Sequence, residues 1–260
     1  MIWAVLIGNT RVVSALMDRN KAVRKLSTAT ETLRTTRNTR RWAESLRKTS
    51  DAEGVIVASV VPPVDAGVRE SIRGAFGKGP EFLDSGRKWG IKIRLKKPSQ
   101  VGADRLANGV AAKELYGTPV IVVDFGTGTT FDVVDRQGAY CGGAILPGLG
   151  ISLKALHEFT AKIPLIGFKK ARKAVGRTTE EAVRSGVYHG AIGATRELLL
   201  RIRKEMGTVA PAVATGGWCG VFQDTHIFHQ IEPDLSLIGL SLIWRNRREG
   251  TKKRGRVNHA

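Results

Sequence analysis

The chain has 260 residues, with 42 Lys and Arg against 23 Asp and Glu and a formal net charge of +19. An apolar content of 42 % is ordinary for a globular protein with one or two domains and excludes a disordered chain. No run reaches the ~18 apolar residues of a membrane span. The opening MIWAVLIGNT has no basic segment of the kind that starts a signal peptide, and Cys141 and Cys219 form no recognisable framework, so they read as reduced core thiols of a cytoplasmic protein.

The charge implies attraction to polyanions: nucleotides, nucleic acid or an acidic protein partner. It is concentrated in Arg34–Lys48 and in the tail Arg245–Arg256. In chain order, Ile2–Ile7 reads as a strand, Gly8-Asn9-Thr10 as a turn, Arg11–Met17 as a second strand and Ala22–Leu26 as a third. Glu31–Lys48 reads as a basic, weakly amphipathic helix whose sparse apolar positions are Leu33, Trp42 and Leu46. Gly54–Val61 is a near-continuous apolar run, a strand buried on both faces and ended by Pro62-Pro63. A helix over Val64–Phe76, short strands near Glu81–Leu83 and Ile91–Leu95, and a helix over Val101–Tyr116 complete a first domain, residues 1–116.

The second domain, residues 117–246, opens with VIVVDFGTGTT (120–130). Four apolar residues, an Asp and a Gly/Thr turn lead into the returning strand Thr130–Val134. A tip of Gly and Thr offers backbone N–H groups and hydroxyls with little bulk, which suits a phosphate, and Asp124 at its mouth can hold a metal ion. A plain structural hairpin has the same composition. A strand over Ala139–Leu146, a PGLG turn into a helix ending near Phe159, a long helix over Thr178–Met206, strands Pro211–Ala214 and Ile227–Ile231, and a helix over Leu235–Arg247 follow. Residues 247–260 read as a disordered basic tail, either a solubilising end or a binding arm. His226 and His229 read as structural, Trp218 and Trp244 as core or interface, and Lys169–Lys173 as a solvated charged segment.

Both halves open with strand, turn and strand, the turn being Gly with Asn or Thr, which is a weak internal repeat. That predicts an α/β protein of duplicated ribonuclease-H-like domains, the plan of the actin, hexokinase and Hsp70 ATPase superfamily. In that plan a cleft lies between the domains and the hairpins grip ATP from both sides.

GNTR (8–11), SVVPP (59–63), GADRLANGVAA (102–112), VVDFGTGTTFDVVD (122–135), GGAILPG (142–148), GRTTEEAVRSG (176–186) and ATGG (214–217) together resemble the type III pantothenate kinases in order and spacing. The resemblance implies a kinase that phosphorylates pantothenate with ATP, the first step of coenzyme A synthesis. It implies that Asp104 is the general base for pantothenate's hydroxyl, and that Gly102, Ala103 and Arg105 complete the substrate motif. A guanidinium suits pantothenate's carboxylate. The resemblance likewise implies that Gly8, Asn9, Thr10 and Thr127 contact ATP, that magnesium accompanies the nucleotide, and that Asp124 binds a monovalent cation, potassium or ammonium. Thr179 matches a pantothenate contact near a dimer interface; a Thr at a helix start also serves as an N-cap.

The chain departs from the family pattern in its first half. Leu6 stands where the family carries an Asp, Leu95 where it carries a Tyr, and Lys97 where it carries an Asn. Leu neither accepts a hydrogen bond nor binds a cation. The resemblance implies a dimer, a homodimer or a heterodimer, and a heterodimer in which a related chain supplies complete ATP hairpins accommodates that loss. Two other functions stay open: an inactive relative that regulates or binds nucleic acid, for which the charge speaks, and a kinase for another hydroxyl substrate. No helix-turn-helix, zinc or aromatic RNA-binding pattern is visible, and only 6 % of residues are aromatic.

Overall fold

Trp3, Val5 and Ile7 alternate along β1 (Ile2–Ile7) and enter one core, with Val12 and Leu16 of β2 (Arg11–Asp18) and Leu26 of β3 (Lys21–Ala29). The cover over that face is a short 3-10 turn, Thr30–Arg34, and helices α1 (Thr36–Lys48) and α2 (Pro62–Phe76), which place Leu33, Trp42, Leu46, Val64, Val68 and Ile72 in it. The Trp3 indole donates to the Leu46 carbonyl at 3.1 Å and to the Ser50 hydroxyl at 2.9 Å, locking α1 to β1. α1 is more amphipathic than its charge suggests. Thr39, Trp42, Ala43 and Leu46 are all buried and fall at i, i+3, i+4 and i+7 on one face, and Thr39 escapes a count of apolar residues. Pro62 and Pro63 begin α2 rather than merely ending the preceding strand, because the first helical positions need no N–H partner.

β4 (Val55–Ser59) runs parallel to β1, and β5 (Glu81–Phe82) parallel to β4. β2 is antiparallel to both β1 and β3, so the sheet order is β3-β2-β1-β4-β5. β6 (Lys92–Ile93) and α3 (Ala103–Tyr116) follow. The structure is a computed structural model that describes residues 1–257 except Ser85 and Lys88, with side chains as far as Glu249.

The second unit, Gly117–Pro233, repeats the plan. β7 (Val120–Phe125), β8 (Gly128–Val134) and β9 (Ala139–Pro147) form an antiparallel meander. α4 (Leu149–Glu158) and α5 (Thr179–Met206) come next, then β10 (Ala212–Thr215), parallel to β7, and β11 (Gln230–Ile231), parallel to β10. Its strands lie in the order β11-β10-β7-β8-β9. Within each unit the first strand therefore lies between an antiparallel second and a parallel fourth. This is the duplicated ribonuclease-H-like fold of the actin, hexokinase and Hsp70 type. Phe125, Phe131 and Phe222 anchor the second core, with Phe125 and Phe222 stacked at 3.9 Å.

Three expectations are corrected. The C-terminal helix α6 (Leu235–Val257) belongs to the first unit, not to a domain 117–246. It packs on α3 so closely that a Cβ on Gly239 would stand 2.0 Å from the Ala107 carbonyl oxygen, and the Ser236 hydroxyl donates to the buried Asn108 amide oxygen at 2.7 Å. α6 also continues through residues expected to be disordered tail. Arg247 pairs with Glu81 and stacks on Trp89 at 4.9 Å, and Arg248 pairs with Glu53 and stacks on Trp244 at 4.7 Å. Residues 258–260 of that expected tail lie outside the described residues. Finally, Cys141 is exposed on β9, where alternation turns it away from buried Tyr140; Cys219 alone of the pair is a core thiol.

Gly143 of β9 has φ +155°, and a Cβ there would stand 1.6 Å from the Phe131 carbonyl oxygen, inside the ladder between β8 and β9. Gly143→Ala is expected to destabilise the protein by about 3 kcal/mol or more, read as a lowered denaturant midpoint. Among the described residues no helix is long and apolar enough to cross a membrane.

Candidate active site

In the first unit the candidate residues gather at the C-terminal end of the parallel strands β1 and β4, the edge at which open α/β sheets bind ligands. Gly8, Asn9 and Thr10 form the turn between β1 and β2. The Gly8 N–H donates to the Arg11 carbonyl at 3.0 Å, and the buried Thr30 hydroxyl donates to the Gly8 carbonyl at 2.6 Å, so the turn is held from both sides. Asn9 and Thr10 are exposed at its tip. Leu6 is half-buried one residue short of the end of β1, paired with Val13 and Ala58.

The next strand links this turn to the substrate motif. The Val60 N–H donates to the Ile7 carbonyl at 3.0 Å, and the Val60 side chain lies 3.6 Å from where a Gly102 Cβ would be. Gly102 immediately precedes α3, and Ala103, Asp104 and Arg105 form the first turn of that helix. A Cβ on Gly102 would come within 2.5 Å of the Asp104 carboxylate, so glycine leaves that carboxylate its place. Asp104 accepts the Arg105 backbone N–H at 2.8 Å. Burial pushes its pKa above the usual carboxylate range, and the backbone N–H and guanidinium of Arg105 oppose the shift. The carboxylate is a better proton acceptor than an exposed Asp.

In the second unit Asp124 lies near the end of β7, opposite Thr130 on β8 and beside Thr215 on β10. Gly216, at φ +88°, comes so close that a Cβ there would stand 2.3 Å from the Asp124 carboxylate and 2.8 Å from the Phe125 backbone nitrogen. Only glycine fits the turn that follows β10. Thr127 is exposed at the tip of the β7–β8 hairpin. Its carbonyl accepts the Gly148 N–H at 3.2 Å, which brings the N-terminus of α4, with its free amide groups, against the hairpin. Thr178, not Thr179, caps α5, accepting the Glu181 N–H at 3.1 Å. Thr179 is thereby left exposed at the first helical position.

Three polar groups beside these residues went unread in the sequence. One carboxylate oxygen of Asp65, on the first turns of α2, is buried without a hydrogen-bond partner among the described residues. Burial raises its pKa, against the Ser59 hydroxyl and Arg69. The Thr215 hydroxyl, next to Asp124 in the sheet, is buried and also has no partner among the described residues. Asp132 is fully buried on β8, where it accepts the Tyr140 hydroxyl at 2.7 Å and the Thr130 hydroxyl at 3.2 Å. The ATGG stretch was the one sequence signal pointing at Thr215; nothing marked Asp65.

Residues 3–201 match the family model described as type III pantothenate kinase. A type III pantothenate kinase of Paramagnetospirillum magneticum is 39 % identical over 262 residues, covering 98 % of this chain and 100 % of that protein. Among solved structures, a Campylobacter jejuni protein named for the Baf family of transcriptional activators superposes with a TM-score of 0.62 at 15 % identity, covering 95 % of this chain and 99 % of the other. A ROK family glucokinase from Streptomyces griseus, in complex with glucose and AMPPNP, gives a TM-score of 0.50 at 11 % identity, covering 92 % of this chain and 97 % of the other. These two structures share the fold. With its GADR, DFGTGTT and GGAILPG motifs in place, the chain belongs to the type III pantothenate kinase family.

Proposed function

We propose that this protein transfers the γ-phosphate of ATP to the primary hydroxyl of pantothenate. The observation that carries the reading is Asp104, a carboxylate with a raised pKa on the first turn of α3, at the sheet edge that also holds the Gly8–Thr10 turn. In this reading Asp104 accepts the hydroxyl proton as the oxygen attacks phosphorus. Arg105 holds the substrate carboxylate, and Thr179, free of the capping role, is a second pantothenate contact. The exposed tip of the Gly8–Thr10 turn, Asn9 and Thr10, together with Thr127 and the N-terminus of α4, holds phosphate oxygens, while Gly8, whose N–H is given to the Arg11 carbonyl, keeps the turn in shape.

Asp124 is the site for a monovalent cation, potassium or ammonium. The donor set fits: a carboxylate with an adjacent buried hydroxyl, Thr215, whose oxygen has no partner among the described residues. A cation there would neutralise phosphate charge. Magnesium fits the first unit less well, because Leu6 gives the turn no carboxylate, so the metal would enter on the nucleotide's own phosphates. That deficit supports a heterodimer with a related chain as the working form, because a homodimer has Leu6 in both copies.

The test is ADP release by the full chain with magnesium-ATP and a potassium salt. Release that depends on pantothenate, and rises on changing sodium to potassium, is the expected result. Turnover only after a related chain is mixed in assigns the protein as a subunit. No ATP binding, with binding of duplex DNA that weakens steeply with salt, replaces this reading with the accessory one that the +19 charge favours.

A further inference from the structure

A groove of about 390 Å³ lies between β3 and α1, on the first unit, and none of the roles proposed above uses it. That volume is at the lower end of small-molecule clefts. Ser27 and Thr28 line it from the strand, Thr32 from the 3-10 turn, and Asn38, Arg41 and Trp42 from the helix. Arg41 is the only charged residue in the lining, and no carboxylate is among them. Two neighbouring arginines are paired, Arg34 with Glu31 at 2.9 Å and Arg40 with Glu70 at 3.5 Å, and Arg37 lies outside the lining. Arg41 has neither an ion pair nor a hydrogen bond among the described residues, and the Asn38 amide has none either.

We propose that this groove binds a small organic anion carrying a phosphate or carboxylate group. The guanidinium offers a planar fork of donors that matches either group bidentately. The Asn38 amide and the Thr28 and Thr32 hydroxyls, which bond one another at 3.2 Å, offer further hydrogen-bonding groups, and buried Trp42 lies in the lining as an apolar floor. The net charge of +19 raises the local concentration of any anion. The groove is also close to the nucleotide turn along the chain: Thr28 precedes by two residues Thr30, whose hydroxyl holds the Gly8 carbonyl.

The experiment is a titration of the full chain, followed by backbone amide NMR at about 0.15 M salt, where surface attraction is screened beyond ~8 Å. The probes are glycerol 3-phosphate, glycerate and inorganic phosphate, which separate a phosphate ester, a carboxylate and the free ion. Saturable shifts at Ser27, Thr28 and Asn38, with a Kd near or below about 1 mM for one of the organic probes, are expected. Arg41→Gln should weaken that binding about tenfold or more, a difference of about 1.4 kcal/mol. Arg37→Gln, an exposed change on the same helix outside the lining, should leave it unchanged. Equal binding by Arg41→Gln, shifts that never saturate, or response to inorganic phosphate alone would overturn the proposal. So would a response only to duplex DNA that disappears with salt, which would make this face a polyanion surface.

Discussion

Asp104→Asn is expected to abolish pantothenate-dependent ADP release while making the folded protein more stable at neutral pH. An amide cannot take the hydroxyl proton, and loss of a positioned general base costs about 10²- to 10⁴-fold in rate. The stability effect has the opposite sign because burial raises the Asp104 pKa in the folded state. A carboxyl whose folded pKa exceeds its unfolded value binds more protons when folded. Stability therefore falls as pH climbs from the unfolded pKa through the folded one, and stays lower above it. Asn removes that cost, so the melting temperature of the variant should exceed that of the wild type at pH 8 and converge with it near pH 4, close to the unfolded carboxyl pKa of about 3.9. The same raised pKa sets the acid limb of the wild-type rate profile above the ordinary carboxylate range. Thermal melts at the two pH values and a pH–rate profile check all three statements; a variant less stable than wild type at pH 8 would assign the carboxylate a mainly structural role.

Leu6→Asp should raise turnover by roughly 10²-fold, on the order of 3 kcal/mol of barrier. The position immediately precedes Ile7 and the Gly8–Thr10 turn, and Leu6 lies in register with Ala58 of β4, one residue from Ser59. On the proposed reading, a carboxylate there would add an anionic ligand for magnesium beside the phosphates. Leu6 is only half-buried, so the substitution should cost about 1–3 kcal/mol of stability rather than prevent folding. The measurement is ADP release against magnesium concentration for both proteins, alongside a denaturation curve for each. Unchanged turnover in a folded variant would show that a carboxylate at residue 6 is not needed for this reaction.

Much of this architecture is legible in the sequence because an interior strand of each sheet carries a short run of buried β-branched residues. Val120–Val123 and Val55–Val57 read as strands from their β-branched composition and the turns at Gly126–Gly128 and Pro62–Pro63 that delimit them. The strand-turn-strand openings of the two halves likewise carry the duplication. What escaped depends on contacts between residues far apart in the chain. The apolar helix over 235–247 can cover either sheet, and its assignment to the first unit rests on contacts such as Gly239 against Ala107 and Ser236 with Asn108. Thr178 and Thr179 are adjacent and chemically identical, and the choice of cap rests on backbone geometry. Asp65 and Thr215 are unremarkable in sequence; what distinguishes them is an oxygen buried without a partner, which no pattern of residue types encodes.

The return of α6 to the first unit makes residues 117–233 an uninterrupted insertion within a discontinuous domain. The Ser241 hydroxyl bonds the Arg19 carbonyl across more than two hundred residues of chain, and Lys25 pairs with Asp234 at 2.5 Å. During synthesis the inserted segment can complete its own sheet and core as soon as it emerges, whereas the amino-terminal sheet waits for α6 to leave the ribosome. Until then the α3 surface that receives Gly239 has nothing to cover it. Losing the final two dozen residues would therefore damage the earliest-made part of the protein and spare the middle.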